Sequence, residues 1–229
     1  LAPQVGEEHR TGTRVLLRSP FFIAVVFGII FGGAAEVSMS QWTSAFVEAS
    51  LALPKAIGDL VGLCLFAAFL GTGRVLYGKY GKNIEIRTIM MAGSILTVGC
   101  YLVASLSPWP ILSLLACALC GLGTSLLWPG SLVNASHRFP LAGASLFALL
   151  AAGGDTGAAV GPWIVGVIAD FSPDLVTSFG WLSHLTQTDA ALRSGMLFAT
   201  IYPLLMIVTL IAMRIIAKKE HKIVPRLDD

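Results

Sequence analysis

A chain of 229 residues that is 55% apolar and only 12% charged, with a mean hydropathy of +0.80, is not an ordinary water-soluble domain; such domains carry roughly 25% charged residues. Fifteen basic against thirteen acidic residues leave a net charge of +2, which excludes a strongly charged face for nucleic acid or acidic substrates, and the apolar content excludes disorder. Cys64, Cys100, Cys117 and Cys120 all fall inside apolar runs, so they read as small packing residues rather than a disulfide framework or a zinc set.

A helix crossing the hydrocarbon core needs about 20 apolar residues. Six runs qualify: Phe21–Phe46, Lys55–Tyr77, Ile84–Leu106, Ile111–Ser136, Leu141–Ala169 and Leu192–Ala217. They are too long to be barrel strands, which alternate over about ten residues. The fold class expected is an all-α membrane protein: residues 1–20 a cytoplasmic linker, 21–217 a six-helix transmembrane bundle and 218–229 a cytoplasmic tail. Connections are short except for a polar segment, Phe171–Ala191. The first run follows a long polar leader, which argues against a signal peptide.

Basic residues set the orientation. With the N-terminal end inside, Arg10, Arg14, Arg18, Arg74, Lys79, Lys82, Arg87, Arg138, Arg214, Lys218, Lys219, Lys222 and Arg226 are cytoplasmic, and Lys55 and Arg193 are outside. That predicts a multi-pass protein of the plasma (inner) membrane with both ends in the cytoplasm. Trp42, Trp109 and Trp181 are then expected at the outer interface. The sequon Asn134-Ala-Ser136 falls at the cytoplasmic end of a span and is discounted.

An ionisable residue in mid-membrane is costly and marks a site by default. Glu36, near the middle of the first span, has no basic residue within helical reach, and burial favours the neutral form of a lone carboxyl. A group that takes up and releases a proton needs that property; a single interhelical hydrogen bond is the plainer alternative. Ser40 shares its face at i,i+4, and Gln41 and Trp42 follow, a mixture of polar groups and an indole suited to a sugar-like ligand. In the second span Asp59 lies four residues from Lys55, the spacing of a helical ion pair. Beyond it, Arg74, Lys79, Gly81 and Lys82 are expected in a cytoplasmic gate loop. The fourth span carries Trp128-Pro129-Gly130, where proline removes a backbone hydrogen bond and bends the helix, and ends near Asn134. In the fifth span Gly153, Gly157 and Gly161 form a smooth stripe around Asp155, which packing does not explain. Gly58-Asp59 and Gly154-Asp155 echo each other in spans of opposite direction, as a three-plus-three inverted repeat does.

The segment Gly71-Thr72-Gly73-Arg74 through Gly78-Lys79-Tyr80-Gly81-Lys82 resembles the cytoplasmic-loop signature of the major facilitator superfamily. Lys79, Gly81 and Lys82 match, and Gly78 stands where that family has Asp. Gly154-Asp155 through Gly161-Pro162-Trp163 resembles the eleventh span of such transporters, and Glu36 to Trp42 is similar to the L-fucose permease-like sugar/proton symporter branch. The resemblance implies half of a twelve-helix fold, the C-terminal six-helix half. It further implies alternating-access transport of a small solute, with a missing N-terminal half as partner. Glu36, Ser40, Gln41, Trp42 and Asp155 would line the substrate and proton path, with Asp59, Trp128 and Asn134 behind them. No organic cofactor or metal is expected; a proton, or sodium, is the expected coupling ion. A six-span protomer that dimerises and a non-transporting scaffold or receptor are the alternatives. An intramembrane enzyme fits poorly. Ala152 and Ala56 break the Gly-x-Gly-Asp pattern at Asp155 and Asp59, and Ser145 and His184 fall at opposite ends of the chain's spans.

Overall fold

The computed structural model describes residues 12–51, 56, 59–172 and 174–223, and these form helices with no β-strand among them. Six helical stretches are long and apolar enough to cross a membrane: Pro20–Ala49, Leu60–Tyr80, Ile86–Leu106, Pro110–Arg138, Gly143–Phe171 and Gln187–Lys219. These are the six runs legible in the sequence, and they make the chain a multi-pass helical bundle. A short helix, α1 (Thr13–Arg18), precedes them and buries Leu16, so part of the expected linker packs on the bundle. The first span is α2 (Pro20–Leu51). A π-helical turn, Asp59–Leu63, leads into α3 (Cys64–Tyr80), and α4 (Ile86–Leu106) is the third span.

The fourth and sixth spans are interrupted. The fourth consists of α5 (Pro110–Thr124) and α6 (Leu127–Arg138), broken at Ser125 and Leu126. Pro110 opens α5, where a missing N–H costs nothing. Pro129 explains the break, because it cannot donate to the Ser125 carbonyl four residues earlier. The fifth span is α7 (Gly143–Phe171), entered through Gly143 at φ 57°, a left-handed conformation that glycine adopts without strain. The sixth consists of α8 (Gln187–Ala199) and α9 (Ile201–Ile223), separated at Thr200. The last helix thus runs past Ala217 into the segment expected as tail.

Successive spans run in opposite directions. At one end Phe21 and Phe22 of the first span meet Phe139 beyond the fourth, with ring centroids 6.2 and 5.9 Å apart. At the other, the Trp181 indole donates to the Leu106 carbonyl at 3.2 Å. The segment between α7 and α8 caps that second end by burying Val176 and Leu182 against Ala190. Trp109 and Trp181 are exposed there, in the position of aromatic anchors.

Glycines set the closest helix approaches. A Cβ at Gly33 would stand 2.7 Å from the Gly154 carbonyl oxygen, and one at Gly161 would stand 2.8 Å from the Ala34 Cα. One at Gly157 would run into the Ile30 carbonyl. The expected Gly153, Gly157, Gly161 stripe is therefore the seam of α7 against α2. Pro162 lies inside this helix, and beside it the Tyr202 hydroxyl donates to the Gly161 carbonyl at 3.0 Å.

Candidate functional site

The site is assembled from α2, α3 and the break in the fourth span. Glu36 lies midway along α2 with 16% of its side chain exposed, and one carboxylate oxygen is 3.6 Å from Nη2 of Arg74. The other is buried and meets no hydrogen-bond donor among the described residues. Arg74 also donates from Nε to the Ser125 carbonyl at 3.1 Å. That is the acceptor that Pro129 leaves without a helical partner. One guanidinium thus joins a mid-span acid to a carbonyl freed by a broken helix, and backbone polarity at membrane depth is tolerated where side chains satisfy it.

Two sequence expectations are corrected here. Glu36 has a basic partner, and Arg74 lies in α3 rather than in a loop. The loop expectation for Arg74 rests on the resemblance of Gly71 through Lys82 to a cytoplasmic-loop signature. Gly73 is instead a packing position: a Cβ there would meet the Ser125 side chain at 2.7 Å or closer. The helix runs on for six residues past Arg74, to Tyr80. Lys79 is also helical, its ammonium 5.1 Å from the Tyr80 ring. Gly81 opens a 3-10 turn (Gly81–Asn83) beneath the Tyr77 ring. The side chain of Lys82 lies outside the described residues.

The remaining members of the expected path do not converge on Glu36. Ser40 donates to its own helix at Val37, 3.1 Å away, and Gln41 is exposed. Trp42 is not an interfacial anchor. It is half-buried, and its indole donates across the seam to the Pro162 carbonyl at 3.3 Å, because Gly166 leaves room beneath the ring. Asp155 is exposed on α7 and makes no hydrogen bond or ion pair among the described residues. Trp128 packs its ring over Gly154. Asn134 is buried, its amide 3.3 Å from the Met213 sulfur. Lys55 and the side chain of Asp59 lie outside the described residues, as does Gly58 of the internal echo.

A second buried charge stands at the other end of the bundle. Arg193 of α8 is 0% exposed and donates from Nε to Asp189 at 3.0 Å. Its Nη1 donates to the carbonyls of Ser107 at 2.6 Å and Ala104 at 3.5 Å, and its guanidinium carbon lies 4.9 Å from the Phe46 ring. A cation at the C-terminus of α4 satisfies carbonyls that the helix cannot and complements its dipole. Thr186 caps α8 by accepting from the Asp189 N–H at 3.3 Å. The Asp189 to Arg193 spacing of four residues was the available signal; the polar surroundings made it look like a solvated loop.

Cys100, Cys117 and Cys120 are buried and Cys64 is exposed, all four as thiols. Among the described residues no cluster of His, Cys, Asp and Glu could hold a metal ion. No protein-family model, no curated protein and no solved structure matches the chain.

Proposed function

We propose that the chain is one six-helix half of a secondary transporter of the major facilitator type, moving a small, sugar-like solute across the plasma membrane by alternating access. The observation that carries this reading is the Glu36–Arg74–Ser125 junction: an acid and a base meet in mid-span, at a helix break, with one acid oxygen lacking a donor. Discontinuous helices near the bilayer midplane are where transporters place substrate and coupling ions. A carboxyl held by a single arginine can exchange that partner for a proton or for a ligand hydroxyl, and the arginine can follow the ligand. The coupling ion in this reading is a proton, with sodium as the alternative.

The surface supports a partner bundle. The second and fifth spans are the least covered, 17% and 28% buried against 61% for the first and fourth. They carry Arg74 and Asp155 at exposed positions within the membrane-crossing length. Charges facing acyl chains are expensive, so protein or a water-filled path covers these faces. A second six-helix half, related by the inverted-repeat plan, would do so, with both ends of this bundle in the cytoplasm.

The test uses the protein expressed from its own gene, reconstituted in vesicles loaded with a pH-sensitive dye and offered a panel of radiolabelled monosaccharides. Uptake of at least one sugar with lumen acidification is expected. Glu36→Gln is expected to abolish sugar-driven proton entry while sparing sugar exchange. Unaltered proton entry in that variant removes Glu36 from coupling, and no sugar movement at all favours the scaffold reading.

A further inference from the structure

Two cavities open at the end of the bundle where α2 begins and α9 ends, and both are bordered by Glu85 and Arg87. The smaller, of about 290 Å³, lies between α4 and α9. Arg87 and Thr88 stand in the first turn of α4, and Arg214 lies towards the same end of α9. Met91, Ala92, Ile95 and Leu210 continue the cavity wall inwards. At a 1.5 Å rise per residue, Ile95 is about 12 Å deeper than Arg87. It is 59% exposed, so the groove is open on its membrane side.

Among the described residues, the charged lining of the smaller groove is Glu85, Arg87 and Arg214. Glu85 accepts from Arg87 Nε at 2.6 Å. Arg214 meets no acidic side chain among the described residues. The adjoining cavity, of about 520 Å³, is lined by Arg87 together with His137 and Arg138 of α6. Two arginines, Arg87 and Arg214, therefore share the mouth of the smaller groove with one glutamate. The mouth selects an anion, and the apolar wall behind it selects an anion attached to hydrocarbon. Basic pockets between helices at a membrane surface hold anionic headgroups for this reason.

We propose that the groove between α4 and α9 binds an anionic phospholipid, its phosphate held by Arg87 and Arg214 and the start of an acyl chain laid along Met91, Ala92 and Ile95. A free phosphate would use the arginines and leave the apolar wall unused. The site is separate from the Glu36 junction and does not depend on transport.

The chain, purified in detergent and stripped of lipid, is supplied in turn with phosphatidylglycerol and phosphatidylcholine of identical acyl chains. Bound lipid is counted by native mass spectrometry. Phosphatidylglycerol is expected to be retained in preference, and Arg87→Gln with Arg214→Gln is expected to weaken its retention by about fivefold per arginine. Ala92→Trp, which keeps both guanidinium groups and fills the groove, is expected to lower retention as well, and it serves if the arginine variant fails to fold. Equal retention of the two lipids, unchanged retention in a folded variant, or displacement of the lipid by inorganic phosphate overturns the proposal.

Discussion

Arg74 and Arg193 are both arginines within helices, yet their surroundings assign them different weights. Arg193 is fully buried, with Asp189 and two carbonyls as partners. Replacing it by Ala leaves a buried carboxylate, a loss of about 3–5 kcal/mol. Arg74 is 46% exposed and lies 3.6 Å from Glu36, so Arg74→Ala is expected to cost about 1 kcal/mol. Thermal or denaturant unfolding in detergent compares the two. In a double-mutant cycle, Arg193→Ala with Asp189→Ala is expected to cost less than the two single changes added together. Equal effects of Arg74→Ala and Arg193→Ala would contradict the division into a firm clamp and a loosely held, exchangeable pair.

Among helices, the seam of α2 and α7 is set by what is absent from it. Gly157 lies so close to the Ile30 carbonyl that a methyl group displaces backbone, whereas a Cβ at Gly99 in α4 meets nothing within 4 Å. Gly157→Ala is expected to destabilise by about 1–3 kcal/mol through overpacking. Gly99→Ala is expected to be neutral or to stabilise by about 0.5–1 kcal/mol, as alanine is the better helix former. Melting temperatures of the two variants in one detergent check the difference, and equal shifts would mean the seam is not the close approach described. The repeat of Gly153, Gly157 and Gly161 was legible because every fourth residue shares a helical face. The partner α2 was not, since any of five other spans could have met that face. Proline was legible in the same way: Pro129 predicts a bend, and the side chain that takes the freed Ser125 carbonyl comes from a helix more than fifty residues away.

For the molecule as a whole, burial sorts the thiols. Cys64 is exposed on α3, whereas Cys100, Cys117 and Cys120 are buried between α4, α5 and their neighbours. A maleimide is expected to label one cysteine per chain in the folded state and four after unfolding, as intact-mass measurement would show. Labelling of more than one in the folded state would mean a looser bundle. The same sorting applies to the tryptophans. Trp109 and Trp181 remain at the surface while Trp42 turns inward to Pro162, a difference that depends on the space left by Gly166 rather than on any local pattern.

Six spans, their lengths and their alternation were determined by the amino-acid sequence alone, because the cost of leaving backbone or charge in hydrocarbon leaves few other ways to place such apolar runs. Which groups meet in the interior was decided only by the tertiary structure. Glu36 looked solitary because its base lies in another helix. Arg193 looked solvated because the carbonyls that hold it belong to the far end of α4. Long side chains reach across helix interfaces whose pairing depends on shape, and a linear pattern records the faces without recording which faces touch.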